Sequence, residues 1–180
     1  MKRLCLLICL MCSLCSIAQQ HMKFMGIPID GTISEFQKKL ETKGWKQNIE
    51  KSRKAEIGER WFDGIFFGEN ASMSVDYDPH TKVVYECSSY IFTDKEHIND
   101  LFKNILSGIK EKYKDNILIS KEDELKGTFW IHGYDILMLG FIFIDARCKD
   151  LENLSIKISY LDFESLTQEE KNRYRKYDDL

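Results

Sequence analysis

The chain has 180 residues, 43% of them hydrophobic, enough for one domain with a sizeable core and a squeeze for two. Its formal charge of −3 comes with lysines scattered among acids and no basic stripe, so nucleic acid is excluded as the expected partner.

The opening MKRLCLLICLMCSLCSIAQQ places Lys2 and Arg3 before an apolar run from Leu4 to Cys15 and the small-x-small triplet Ser16-Ile17-Ala18. That is the layout of a secretory signal peptide over residues 1–18, and it predicts cleavage after Ala18 and an exported domain, periplasmic or extracellular, over 19–180. The run is shorter than the roughly 20 apolar residues of a span, so no stable membrane span is expected after cleavage. Cys12 follows Met11 and Cys15 follows Leu14, without the small preceding residue that a lipid-modified cysteine wants. Cleavage takes the formal charge from −3 to −5 and leaves Cys87 and Cys148 of the six cysteines. In an oxidising compartment these two can pair, which would constrain the unfolded chain by roughly 4 kcal/mol. The other reading keeps Cys87 as a small buried hydrophobe within a strand. Neither has a partner at CxxC spacing, and no metal site is expected.

From His21 the chain reads as a short strand around Lys23 to Ile27, a turn and a helix. Thr32 and Glu35 have capping-box spacing, Ile33, Phe36 and Leu40 make the buried stripe, and Gly44 supplies the terminating residue. Lys46 to Glu59 is polar without clear period and reads as a loop. WFDGIFFGENASMSVDYDPHTKVVYECSSYIF then predicts three strands in a meander. Met73, Val75 and Tyr77 alternate with Ser72, Ser74 and Asp76, the period of a half-exposed antiparallel strand, and Asp78-Pro79 marks a turn. In the third strand Val83, Tyr85, Cys87, Ser89 and Ile91 share one face, with Val84, Glu86, Ser88, Tyr90 and Phe92 on the other.

TDKEHINDLFKNILSGIKEKY, from Thr93 to Tyr113, is the longest helical pattern. Ile98, Leu101, Phe102, Ile105, Ile109 and Tyr113 form one stripe, and Thr93 with Glu96 repeats the capping-box spacing. Strand candidates follow at Asn116 to Ser120, Thr128 to His132, Tyr134 to Ala146 and Leu154 to Phe163. Ile136 to Ile144 is apolar on both faces, as in a central strand, whereas Leu154 to Phe163 alternates like an edge. The expected class is α+β: mainly antiparallel sheet with two amphipathic helices on one face, organised as an αβββ pseudo-repeat if the shared element order of the halves reflects duplication.

FMGIPIDGTISEFQKKLETKGW, FDGIFFGENASMSVDYDPHTKVVY and the acidic-Leu ending resemble a group of small secreted proteins of gut-dwelling bacteria that have no assigned function. The likeness covers most of residues 19–180, and the FMGIPIDGT run is its most specific part. The helix-then-sheet order and the helix start at Gly31 and Thr32 also resemble, more weakly, the β-lactamase-inhibitor-like and small outer-membrane assembly lipoprotein folds. Those resemblances imply protein binding by a sheet face. They carry over no functional residue, and the missing lipidated cysteine departs from the lipoprotein group.

For chemistry, there is no Gly-x-Ser-x-Gly elbow, His-Glu-x-x-His or Gly-rich phosphate loop, so no cofactor is expected. Asp76, Asp78 and His80 are the one compact ligand-type cluster, and the Asp-Pro turn accounts for them without metal. Two functions remain. In the first, Trp61, Phe67, Tyr90, Phe92, Trp130 and Tyr134 stand on an open sheet face and bind an envelope or extracellular protein, since aromatics are enriched at interfaces. In the alternative, a secreted hydrolase-like enzyme assembles its site from distant residues such as His132, Asp76 and Glu86, as a histidine and carboxylate in a closed pocket.

Overall fold

The computed structural model describes residues 21–94, 96–113, 117–118, 128–131, 140–148, 154–167 and 171, with backbone alone at 117–118, 128–131, 141, 143, 145–148 and 154. The fold is α+β, and among the described residues every strand pairing is antiparallel.

His21 and Met22 lead into a hairpin of β1 (Lys23–Phe24) and β2 (Ile27–Pro28). Met25 and Gly26 between them both have positive φ, the backbone of a tight hairpin turn. Helix α1 (Ile33–Thr42) starts on the expected capping box: Thr32 accepts from the Glu35 N–H, and the Glu35 carboxylate returns to the Thr32 N–H at 2.9 Å. Ile33, Phe36 and Leu40 are buried.

The expected loop after α1 is instead β3 (Lys46–Gln47) and a short helix α2 (Ile49–Lys54). Asn48 caps α2 by accepting from the Lys51 N–H. Helix α2 buries none of its side chains, which is why no apolar period marked it. The predicted meander is present as β4 (Glu59–Phe66), β5 (Glu69–Tyr77) and β6 (Val84–Thr93). Asp78 holds the β5–β6 turn by accepting from the His80 and Thr81 N–H groups.

Helix α3 (Ile98–Tyr113) follows. Its cap differs from the expectation: Thr93 ends β6, and Asp94 accepts from the Glu96 and His97 N–H groups while its carbonyl takes the Ile98 N–H. Ile105 and Ile109 are fully buried, whereas Ile98, Leu101, Phe102 and Tyr113 are partly buried against the core. The chain continues through β7 (Ile117–Leu118), β8 (Thr128–Ile131), β9 (Gly140–Cys148) and β10 (Leu154–Asp162). Among the described residues no helix is long and apolar enough to cross a membrane.

The eight-stranded sheet runs β3-β4-β5-β6-β10-β9-β8-β7. A helix followed by four strands thus occurs twice, α1 with β3–β6 and α3 with β7–β10, and the two halves meet last strand to last strand. The repeated unit has one strand more than the expected αβββ. Strand β10, expected at an edge, is central and paired on both sides, to β6 and β9. Its alternating Ser155, Lys157 and Ser159 reflect a polar face of the sheet, not an edge.

One face of the sheet carries Phe62, Met73, Val75, Cys87, Ile91, Ile142, Ile156, Ile158 and Tyr160, all buried in one core with both amphipathic helices. Phe24 links the hairpin to that core through edge contacts with Trp45 and Tyr160. Gly64 is dictated by this packing: a Cβ there would lie 2.5 Å from the Trp45 ring. At the end of β10 the buried Asp162 carboxylate accepts from the Met22 N–H at 2.6 Å and the Ser165 N–H at 2.9 Å and meets His21 Nδ1 at 2.8 Å. Burial pushes its pKa up, against those three contacts, which pull it down.

The Cys87–Cys148 disulfide is corrected. Cys87 is a free, buried thiol opposite Val75 and Tyr160. Cys148 lies opposite Leu154, which lies opposite Thr93, six residues along β6 from Cys87. That is about 20 Å of strand, beyond the roughly 7 Å between Cα atoms that a disulfide spans.

Candidate functional site

The sheet face opposite the helices is built from the polar positions of β4, β5, β6 and β10. The register sets them in rows. At one end Ile65 lies opposite Asn70, with Phe92 opposite Ser155. Next come Asp63, Ser72, Tyr90 and Lys157, then Trp61, Ser74, Ser88 and Ser159, and last Glu59, Asp76, Glu86 and Leu161.

Trp61 and Tyr90 stack across this face with centroids 5.4 Å apart and planes 27° from parallel. Both are half-buried. Lys51 lies 5.3 Å from the Trp61 ring and Lys157 lies 5.6 Å from the Tyr90 ring, so the aromatic pair is held between two cations. Helix α2 is what brings Lys51 there. The Trp61 N–H donates to Ser52 Oγ at 2.9 Å and the Asn48 N–H donates to the Trp61 carbonyl at 2.8 Å, tying the helix to β4. Lys51 Nζ then donates to Ser72 Oγ at 2.7 Å and stands 3.9 Å from Asp63, which also accepts from Ser72 and Asn48. Beneath the rings, Ser88 and Ser159 are buried and share a 2.6 Å hydrogen bond.

The last row is electrostatically different. Glu59, Asp76 and Glu86 stand on three adjacent strands, Asp76 directly opposite both others. Burial first, and then the Glu86 and Glu59 carboxylates, push Asp76 up to about 7, with Lys157 acting in the other direction. Like charges directly opposite on a sheet are destabilising. Among the described residues no group of His, Cys, Asp and Glu is placed to hold a metal ion.

At the opposite end, Phe92 is 52% and Ile65 60% exposed. They border a shallow depression of about 380 Å³ with Asp63, Asn70, Lys46 and Gly44. Of the residues expected to share this face, Trp61, Tyr90 and Phe92 do. Phe67 does not: it occupies the β4–β5 turn with φ 52°, packs edge-on against buried Phe66 and lies beside Gly108 of α3, on the helix side. The side chain of Trp130 and all of Tyr134 lie outside the described residues, as does His132. Tyr90 and Trp130, both expected on this face, are set far apart by register. Trp130 pairs with Phe141, Phe141 with Leu161 and Leu161 with Glu86, which puts its backbone three strands across and four residues along from Tyr90, about 20 Å away.

Histidine and carboxylate meet at His21 with Asp162 and at His97 with Asp94. The first pair ties down the amino-terminal segment and the second caps α3; neither borders the depression beside Phe92. Sequence reasoning missed Lys51, which carried no periodic signal, and Lys157 and Asp63, which alternation already placed at polar strand positions. No protein-family model, curated protein or solved structure matches the chain.

Proposed function

We propose that this is an exported domain that binds a protein through the sheet face opposite its helices. The observation that carries the reading is the Trp61–Tyr90 stack continuing into exposed Phe92 and Ile65 on that face. Rigid aromatics with few rotatable bonds give contact area at low entropic cost and recur as binding hot spots. The cations and serines around the stack fix the rings in place before any partner arrives, which lowers the cost of ordering them on binding. The resemblance to β-lactamase-inhibitor-like folds supports the same reading, and the signal-peptide pattern of residues 1–18 supports a partner in the envelope or outside the cell.

The test is site-specific photocrosslinking in cells that produce the protein. A benzoylphenylalanine at position 92 should give a discrete adduct with one protein, and the same group at exposed Lys38 of α1 should not. The adduct should disappear when Trp61 and Tyr90 are both changed to alanine. Equal adducts from both positions, or none from position 92, would refute the reading.

A further inference from the structure

We infer that the partner docks an extended peptide segment as an added strand on the free edge of β4 at Ile65, with an apolar side chain of that segment covering Ile65 and Phe92 and an acidic side chain reaching Lys46. This deepens the protein-binding reading and rests on it. In an antiparallel strand, alternate residues turn both their N–H and C=O to the same side. On β4 the odd-numbered residues turn theirs away from β5: the Glu59 N–H donates to the Glu56 carbonyl at 3.2 Å, the Trp61 N–H donates to Ser52 Oγ at 2.9 Å, and the Trp61 carbonyl accepts from the Asn48 N–H at 2.8 Å. Asp63 comes next and lies opposite Lys46 of β3. Ile65 follows, and continuing that register would set Gly44 opposite it. The pairing does not form, because the end of α1 draws the chain away: the Gly44 N–H donates to the Glu41 carbonyl at 3.1 Å and the Trp45 N–H to the Leu40 carbonyl at 3.2 Å. Among the described residues the N–H and C=O of Ile65 therefore have no partner.

Unpaired edge groups are a template for another strand, and the surroundings of this one fit that occupant. Ile65 and Phe92, both exposed, border the shallow depression together with Gly44 and Lys46. A residue paired with Ile65 would stand about 5.5 Å from it between Cα atoms, with its side chain on the same face as those of Ile65 and Phe92. Its two neighbours would turn to the helix side, where Trp45 lies against Gly64. A docked α-helix satisfies its own backbone and would leave the Ile65 groups unpaired, whereas an added strand pairs both and gains selectivity from alternate side chains. The segment cannot continue along the edge toward Asp63, because β3 holds it there, so it leaves the sheet beside Lys46. Charge complementarity then sets the second feature of the segment. Lys51 is engaged by Ser72 and Asp63, but Lys46 is exposed and makes no ion pair among the described residues, so it selects an acidic side chain.

The experiment is selection of short random peptides displayed on phage against the mature protein 19–180, with binding of individual synthetic peptides then measured by titration calorimetry. Selected peptides should share an apolar residue with an acidic residue close by. Methylating the peptide backbone nitrogens one at a time should weaken binding about tenfold at the residue that pairs with Ile65 and little at its two neighbours, whose N–H groups face away from the edge. In amide hydrogen exchange followed by nuclear magnetic resonance, the bound peptide should protect Ile65, while Asp63 and Gly64, already paired to β3 and β5, should change little. Lys46→Glu should weaken the acidic peptides while the protein remains folded by circular dichroism, and an unchanged affinity would overturn the acidic half of the inference. Peptides that need Tyr90 and Phe92 yet tolerate methylation at every position and leave Ile65 exchange unchanged would overturn the added strand and leave the protein-binding reading standing. Peptides indifferent to Tyr90→Ala, Phe92→Ala and backbone methylation would overturn both. Recovery of no peptide would overturn this inference, and the crosslink from position 92 would then decide the protein-binding reading by itself.

Discussion

Replacing Asp76 with asparagine should make the protein more stable, by an amount that grows as pH rises from about 4 to about 7 and is constant above that. In the folded chain the carboxyl is pushed from 3.8 up to about 7 by burial and by Glu86 and Glu59. A raised folded pKa means that the native state holds this proton more tightly than the unfolded state does. The associated stabilisation is therefore fully present below about pH 4, falls progressively as pH rises, and is gone once pH has passed through about 7. Above that pH both states are ionised, and the native one carries a half-buried charge beside two others. The shift of about three units corresponds to roughly 4 kcal/mol as an upper value. Asparagine keeps the shape and removes the charge, so the gain at pH 8.5 should be about 2 to 4 kcal/mol, falling to near zero or slightly negative at pH 4. Urea unfolding of both proteins at the two pH values measures this directly. A variant that is no more stable than the native protein at pH 8.5, or that differs from it equally at both pH values, would refute the electrostatic account of the acidic row.

Four further outcomes follow from packing and from the chain's first residues. Ile105→Ala should cost about 2 to 5 kcal/mol because the side chain is fully buried, and Phe102→Ala less, since Phe102 is only partly buried; equal losses in denaturant unfolding would contradict the helix orientation. Gly64→Ala should destabilise by at least about 2 kcal/mol through its clash with Trp45, with recovery in the combined variant that also carries Trp45→Leu; no recovery would refute the close contact. Thr32→Ala should cost about 1 kcal/mol through the lost cap, and a neutral result would remove the capping box from the account. Amino-terminal sequencing of the exported protein should begin at Gln19 or within a few residues of it, and a product that keeps Met1 and sediments with membranes would overturn export by cleavage.

The two amphipathic helices and the first meander were legible because each rests on a local signal. Thr32 and Glu35 mark a helix start by chemistry alone, Ile33, Phe36 and Leu40 repeat at helical spacing, and Met73 and Val75 alternate with serines. Register is not local, and the misreadings concentrate there. Tyr85 is an extra residue at a bulge, since Asp76 opposes Glu86 while Tyr77 opposes Val84, so Val84 and not Val83 joins the core. The same long-range register separates Cys87 from Cys148 and Tyr90 from Trp130. Helix α2 was invisible because a helix with no buried face has no period to read. Its contribution to the site, Lys51 above Trp61, follows from Asn48 and Ser52 binding the β4 backbone, which no spacing rule announces. Leu154 to Phe163 misled in another way: small polar residues at alternate positions read as an edge strand, yet here they line the middle of an open sheet face beneath two rings.

The most direct measurement is the affinity of the domain for the protein captured by the crosslinker at position 92, with purified components. Tyr90→Ala should weaken it by about 2 kcal/mol, roughly thirtyfold in Kd, with an unchanged far-ultraviolet circular dichroism spectrum. The same affinity for native and Tyr90→Ala domains would contradict the claim that this face is where the protein works.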